Sequence, residues 1–313
     1  MRKLLIPKGE TKFENQIFDC NNKIVAKIIS EYSKDEIHFF ELYQFGISKW
    51  KKIESSFSEK NINKSGPLII RQEIVNYTLK MENKKLELEK LQNEIDLEIA
   101  KIISIDERKA FPDGIINIDN YLASDLKIMW ILKEPNSSEE LNWRDEIGNL
   151  KTETGTKYGW SGTFNPIIYV SYGILNNQNW NQIPYTNDNP EIIEVLKSIA
   201  FVNVKKTPGE SVSFDNEIHE YHSNNKEILI KQIKYYQPNV IICGNTFQYI
   251  GVDVKEIFKE LEFEYDENSK MSKHHNTEII IIDAFHPNAR KNKEIYCDYI
   301  INSVNEWKKE YRN

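Results

Sequence analysis

Four short polar segments carry side chains able to do chemistry, and each follows an apolar run. Glu134 stands in Lys133-Glu134-Pro135-Asn136, directly after the near-continuous apolar stretch 126–132. Asn203 lies in the apolar run 200–204, with Lys205-Lys206-Thr207-Pro208-Gly209 beyond it. Gly244-Asn245 follows the run 239–243. His286 belongs to Phe285-His286-Pro287-Asn288-Ala289-Arg290, after the run 278–283. A carboxylate on a proline-stiffened turn can orient or deprotonate a water molecule. A loop imidazole can donate a hydrogen bond to an oxygen that gains charge as a bond breaks, an interaction of about 3–4 kcal/mol when well aimed. A primary amide offers a donor and an acceptor together, as reading the edge of a heteroaromatic base requires.

Other chemistries lack their residues. No Gly-rich loop ending in Lys-Ser/Thr is present, no Gly-x-Gly-x-x-Gly and no Gly-x-Ser-x-Gly. These absences disfavour P-loop ATPases, dinucleotide enzymes and α/β hydrolases. His219 and His222, in His-Glu-Tyr-His, read as a surface feature, and His274-His275 as a solvated turn. Three cysteines, at 20, 243 and 297, are too few for a disulfide framework or a four-thiolate metal site. The expectation is a reduced, cytoplasmic setting with no metal and no cofactor. The 313 residues carry 41 basic and 48 acidic side chains, a net charge of -7. That excludes a general polyanion binder but not a local basic rim facing DNA. No stretch nears the ~20 apolar residues that span a bilayer, so no membrane partner is expected.

The elements that must position these loops follow from the apolar pattern. Strands alternating with amphipathic helices from about residue 115 predict a three-layer α/β/α domain over 113–313, with a central, mostly parallel four-stranded sheet. In such sheets, ligands bind beyond the carboxyl ends of the strands, where all four polar segments fall. Asn189-Pro190 predicts a helix start, and Asn292 caps a closing helix. Residues 1–112 read as a mainly helical N-terminal region, apart from a short strand over 1–7. Ile37, Phe40, Leu42, Phe45 and Trp50 stand at helix-like spacing, and 71–103 lacks both Gly and Pro. Met81, Leu88, Ile95 and Ile102 recur every seven residues there. That stripe would pack across the second domain, or against a partner or second copy.

Taken in order, the four segments resemble the motifs of the uracil-DNA glycosylase superfamily. Leu132-Lys133-Glu134-Pro135-Asn136 stands where the family has an acid or amide followed by Pro, and Val202-Asn203-Val204-Lys205 matches the strand ending in a base-reading Asn. The run 238–245 matches a strand ending in Gly, and Phe285-His286-Pro287-Asn288 the His-Pro-Ser loop. The likeness spans roughly 120–310. It departs from the family in Leu132 for Gly, Glu134 for Asp or Asn, and Asn288 for Ser.

The resemblance implies a monofunctional DNA glycosylase that hydrolyses the N-glycosidic bond of a flipped nucleotide. Glu134 would position the water and His286 stabilise the leaving base. Asn203 would read the pyrimidine edge, and Phe164, with Trp160 next, would stack on it. Lys205, Lys206, Asn288, Arg290 and Lys291 would hold the DNA backbone. Family members strict for uracil carry a Tyr where this chain has Asn136. The smaller residue implies room for a substituted pyrimidine: a 5-substituted uracil, or the glucosylated hydroxymethylcytosine of phage DNA, removed in antiviral defence. The alternative is a module on the same fold that senses modified bases or binds DNA without cleaving it.

Overall fold

A computed structural model of the chain describes residues 12–18, 24–33, 36–45, 50–55, 66–102, 109–136, 142–209, 213–289 and 291–312, with side chains from Glu82 onward. The chain divides into two compact units, Met1–Lys84 and Lys85–Asn313. In the first, β1 (Lys12–Phe18), β2 (Ile24–Ser33), β3 (Glu36–Phe45) and β4 (Trp50–Ser55) form an antiparallel sheet in sequence order. This corrects the mainly helical expectation for the N-terminal region. The 37–40–45 spacing mimics a helix, but the Ile-, Phe- and Tyr-rich composition of Glu36–Phe45 favours a pleated strand. The expected strand over 1–7 lies outside the described residues. Helix α1 (Gly66–Ile99) follows, and the division between units falls within it.

The second unit is built on a seven-stranded mixed sheet, not the four-stranded one expected. Its strands are β5 (Gly114–Ile115), β6 (Ile128–Leu132), β9 (Ile199–Asn203), β10 (Val240–Gly244), β11 (Glu262–Asp266), β12 (Met271–His275) and β13 (Ile280–Ala284). A separate two-stranded hairpin pairs β7 (Lys151–Thr152) with β8 (Gly155–Thr156). In the large sheet β13, β10, β6 and β9 lie side by side and parallel. Beyond them β5 runs antiparallel on β9, and the β12–β11 pair runs antiparallel on β13. The additional strands escape a hydrophobic pattern for separate reasons. β5 has two residues, and β11 (EFEYD) is mostly exposed. β12 (MSKHH) hides its burial in polar side chains, so His274 and His275 are 5% exposed strand residues and not a solvated turn. The β12–β11 pair covers the β13 edge that would otherwise be open to pairing.

Side-chain alternation divides the core between the two faces of the sheet. Ile128, Trp130 and Leu132 of β6 pack with α3 (Trp143–Gly148), α4 (Ser161–Asn176), the 3-10 helix Pro190–Ser198 and α7 (Lys293–Tyr311). Met129 and Ile131 face the last turns of α1, α2 (Ile118–Ala123), α5 (Asp215–Tyr236) and α6 (Phe247–Ile257). The buried Trp130 ring N–H donates to Ser171 Oγ at 3.1 Å, so this large side chain is buried without an orphan donor. Asn189 caps the 3-10 helix through Glu191 N–H, and Asn292 caps α7 through Glu294 and Ile295. Of the seven-residue stripe, Leu88 and Ile95, together with Ile99, are buried in the second unit's own core. Among the described residues, no helix is long and apolar enough to cross a membrane.

Candidate active site

Because β6, β9, β10 and β13 are parallel neighbours, their carboxyl ends and the loops that follow share one edge of the sheet. Backbone bonds tie the loops together. Val204 and Lys205 N–H donate to Leu132 and Lys133 O at 2.8 Å each, and Gly209 N–H donates to Pro135 O at 2.9 Å. An isolated parallel bridge joins Asn136 to Gly209. Asn245, in the left-handed region at φ 61°, donates its N–H to Ala284 O at 2.7 Å. Gly244 lies against both the Leu132 side chain and Pro287, so the β10 terminus links the first loop to the last. Gly162, at the start of α4, packs against Asn288, and a Cβ there would stand 2.7 Å from Asn288 Oδ1.

Asn203 is the last residue of β9 and shares a sheet face with Ile199 and Phe201, which belong to the cluster packed on α4. It is 1% exposed, yet neither Oδ1 nor Nδ2 of its amide has a hydrogen-bond partner among the described residues. Leaving such groups unsatisfied costs about 1–3 kcal/mol each. The backbone beneath the amide is firmly held. Asn203 N–H donates to Asp113 Oδ2 at 2.7 Å, and Asp113 is itself buried.

Glu134 has a side chain 4% exposed, ion-paired to Lys205 with Nζ–Oε2 2.7 Å. Its carboxyl packs directly on Gly209, and a methyl group at that position would collide with it. Glycine is required there for close approach, not for its backbone angles. Lys205 also reaches Glu217 at 3.4 Å. Next to Glu134, Lys133 pairs with Asp215 at 2.9 Å, and its ammonium lies 5.6 Å from the Tyr249 ring centre. The His286 ring accepts the Asn288 N–H at Nδ1, 3.1 Å away. In the neutral imidazole the proton therefore sits on Nε2, which is left as the donor. Burial, and then the positive charge of Lys133, hold His286 below the usual imidazole pKa, which favours that neutral form.

The remaining expected residues occupy varied environments. Asn136 and Asn288 are exposed beside these loops, and so is Lys291, whose Nζ lies 4.3 Å from the Phe285 ring centre. Arg290 lies outside the described residues. Phe164 is buried in the core, 5.4 Å from Phe201 in a stacked pair and 5.4 Å from Trp160. Trp160 stays partly open, with Lys157 5.9 Å from its ring centre. Lys206 is 1% exposed and cannot reach a DNA backbone. Its three ammonium protons are taken by Asp113 Oδ1 and Oδ2, at 3.0 and 2.9 Å, and by Gln232 Oε1 at 2.7 Å. Lys205 makes ion pairs within the protein. His222 lies 3.1 Å from Asp253, and no group of three His, Cys, Asp or Glu able to hold a metal ion occurs among the described residues. Two clefts, of about 260 and 470 Å³, are lined by none of the expected site residues.

Asp113, which anchors Asn203 and Lys206, carries no signal of that role in the sequence. Within Phe111-Pro112-Asp113-Gly114 it reads only as a turn former. Its partner Gln232 carried a signal, because it sits three residues after buried Leu229 on the apolar face of α5. A polar residue in such a stripe requires a buried partner. Compared with known protein families and with curated proteins, the sequence matches none.

Proposed function

We propose that the second unit is a DNA glycosylase that hydrolyses the N-glycosidic bond of a flipped, modified pyrimidine, in the cytoplasm. The observation that carries this reading is the Asn203 amide: buried, fixed through its backbone to Asp113, and with neither polar atom bonded among the described residues. A base edge offering one acceptor and one donor would satisfy both atoms at once, with about 1–3 kcal/mol of discrimination. His286, neutral and with Nε2–H as donor, would bond the base oxygen that gains charge as the glycosidic bond breaks. Glu134 would hold the attacking water and favour the cationic sugar once the base is in place. Exposed Asn136 supports room for a group at pyrimidine carbon five, which includes substituted uracils and the glucosylated hydroxymethylcytosine of phage DNA.

A second reading, modified-base sensing without cleavage, is favoured by one observation. The Glu134 carboxylate is already paired with Lys205 and packed on Gly209. Base release measured by mass over uracil, thymine, hydroxymethylcytosine and glucosylated DNA separates the two. A released base, with Glu134→Gln and His286→Ala each losing about 100-fold or more in rate, supports the glycosylase. Saturable, salt-sensitive binding with no base released from any substrate supports the sensor. Confinement to plain uracil removes the open-pocket argument drawn from Asn136.

A further inference from the structure

We propose a second reaction at this site: Lys205 attacks the sugar aldehyde left after base release and cleaves the strand through a Schiff base. The inference rests on the glycosylase reading, because that reading sets Glu134 beneath the sugar, and it goes beyond the water-only reaction expected of the sequence. Lys205 Nζ lies 2.7 Å from Glu134 Oε2, so whatever carbon faces the carboxylate is within reach of the amine. The lysine side chain is only 13% exposed and is held by two carboxylates, Glu134 and Glu217. The ordering cost of placing a long flexible side chain is thus already met in the free protein. Its neighbours are otherwise engaged. Lys206 is enclosed by Asp113 and Gln232, and Lys133 is paired with Asp215.

The step is redox-neutral and needs no further reactant. Lys205 gives a proton to Glu134 and becomes a nucleophile, which the ammonium is not. Its nitrogen bonds to C1′ of the ring-opened abasic sugar, and the resulting carbinolamine loses one water to become an iminium. The iminium acidifies the C2′ hydrogens. Loss of one of them as a proton, taken up by a site base or by water, sends the electron pair to form the C2′–C3′ double bond. The C3′–O bond breaks, and the 3′ phosphate leaves with its electron pair. Hydrolysis of the remaining imine returns Lys205 and releases an unsaturated aldehyde on the DNA end.

The test uses the full chain and an oligonucleotide carrying an abasic site made beforehand by acid depurination. Borohydride reduces an imine to a stable covalent link, which a denaturing gel and peptide mass mapping then read. The expected result is a cross-link mapped to Lys205 in the unmodified protein, falling to background in Lys205→Arg. The arginine keeps a cation for Glu134, but its guanidinium does not deprotonate. No cross-link, or one mapped to Lys133, Lys157 or Lys291, overturns the proposal. The abasic site is supplied ready-made, so a missing cross-link in a protein that does release base from intact DNA counts against Lys205 and leaves the glycosylase standing. Failure to release any base from intact DNA counts against the glycosylase.

Discussion

Replacing Asn203 by leucine should make the protein more stable while removing the amide proposed to read the base. Leucine branches where asparagine does and differs little in outline, but it has no polar atoms to satisfy. Both amide atoms of Asn203 are buried without partners among the described residues, and each such atom is worth about 1–3 kcal/mol when freed of its penalty. The slightly larger side chain costs about 1 kcal/mol in repacking, so a net gain of about 1–5 kcal/mol remains. For a unit the size of Lys85–Asn313, that corresponds to a rise of roughly 2–20 °C in melting temperature. Differential scanning calorimetry of the two proteins at one pH and salt concentration reads it, and base release is assayed on the same samples. Asn203→Asp is the control. It keeps the shape but buries an unpaired charge, so its melting temperature should fall. A lowered melting temperature for Asn203→Leu would refute the reasoning, because the amide would then be bonded in solution and serving the fold.

Two further outcomes follow from the surrounding groups. Burial and Lys133 hold the His286 proton affinity below its ordinary value, so the neutral donor persists as pH falls to about 6.5. The base-release rate should therefore stay level through neutral pH and drop only below that value. A falling limb at or above it would contradict the assignment, and Lys133→Met should move the limb upward. Lys206→Met leaves Asp113 as a buried, uncompensated carboxylate and should cost about 3–5 kcal/mol in urea melts. A loss below about 1 kcal/mol would mean that Arg144 and Gln232 suffice to hold Asp113.

The parts of the fold that were legible are those whose burial is written in apolar side chains. The runs behind β6, β9, β10 and β13 are apolar on both faces, and their strands fall within a residue or two of the expected bounds. Caps at Asn189 and Asn292 were legible because a side-chain amide before a helix has a local partner, the backbone N–H a few residues on. The edge strands were not legible. β11 faces solvent, β5 is two residues long, and the burial of β12 rests on its neighbours: His274 stacks on Phe247 at 4.4 Å, and His275 pairs with Glu264 at 2.8 Å. The first unit's sheet was obscured by spacing that fits both periods when strands are rich in adjacent aromatics.

Residue types and their order after strands were enough to single out Glu134, Asn203 and His286 as candidates, because polar side chains able to do chemistry stand where the apolar pattern stops. Three-dimensional packing alone decided what each of them faces. Two adjacent lysines with the same local sequence met opposite fates. Lys205 turned to the Glu134 carboxylate at the strand ends, and Lys206 turned into the core against Asp113 and Gln232. Neighbouring side chains on an extended chain point to opposite sides, and which side is interior depends on elements distant in sequence. That the Asn203 amide has no partner among the described residues has the same origin, since it comes from everything around the amide and not from the residue itself.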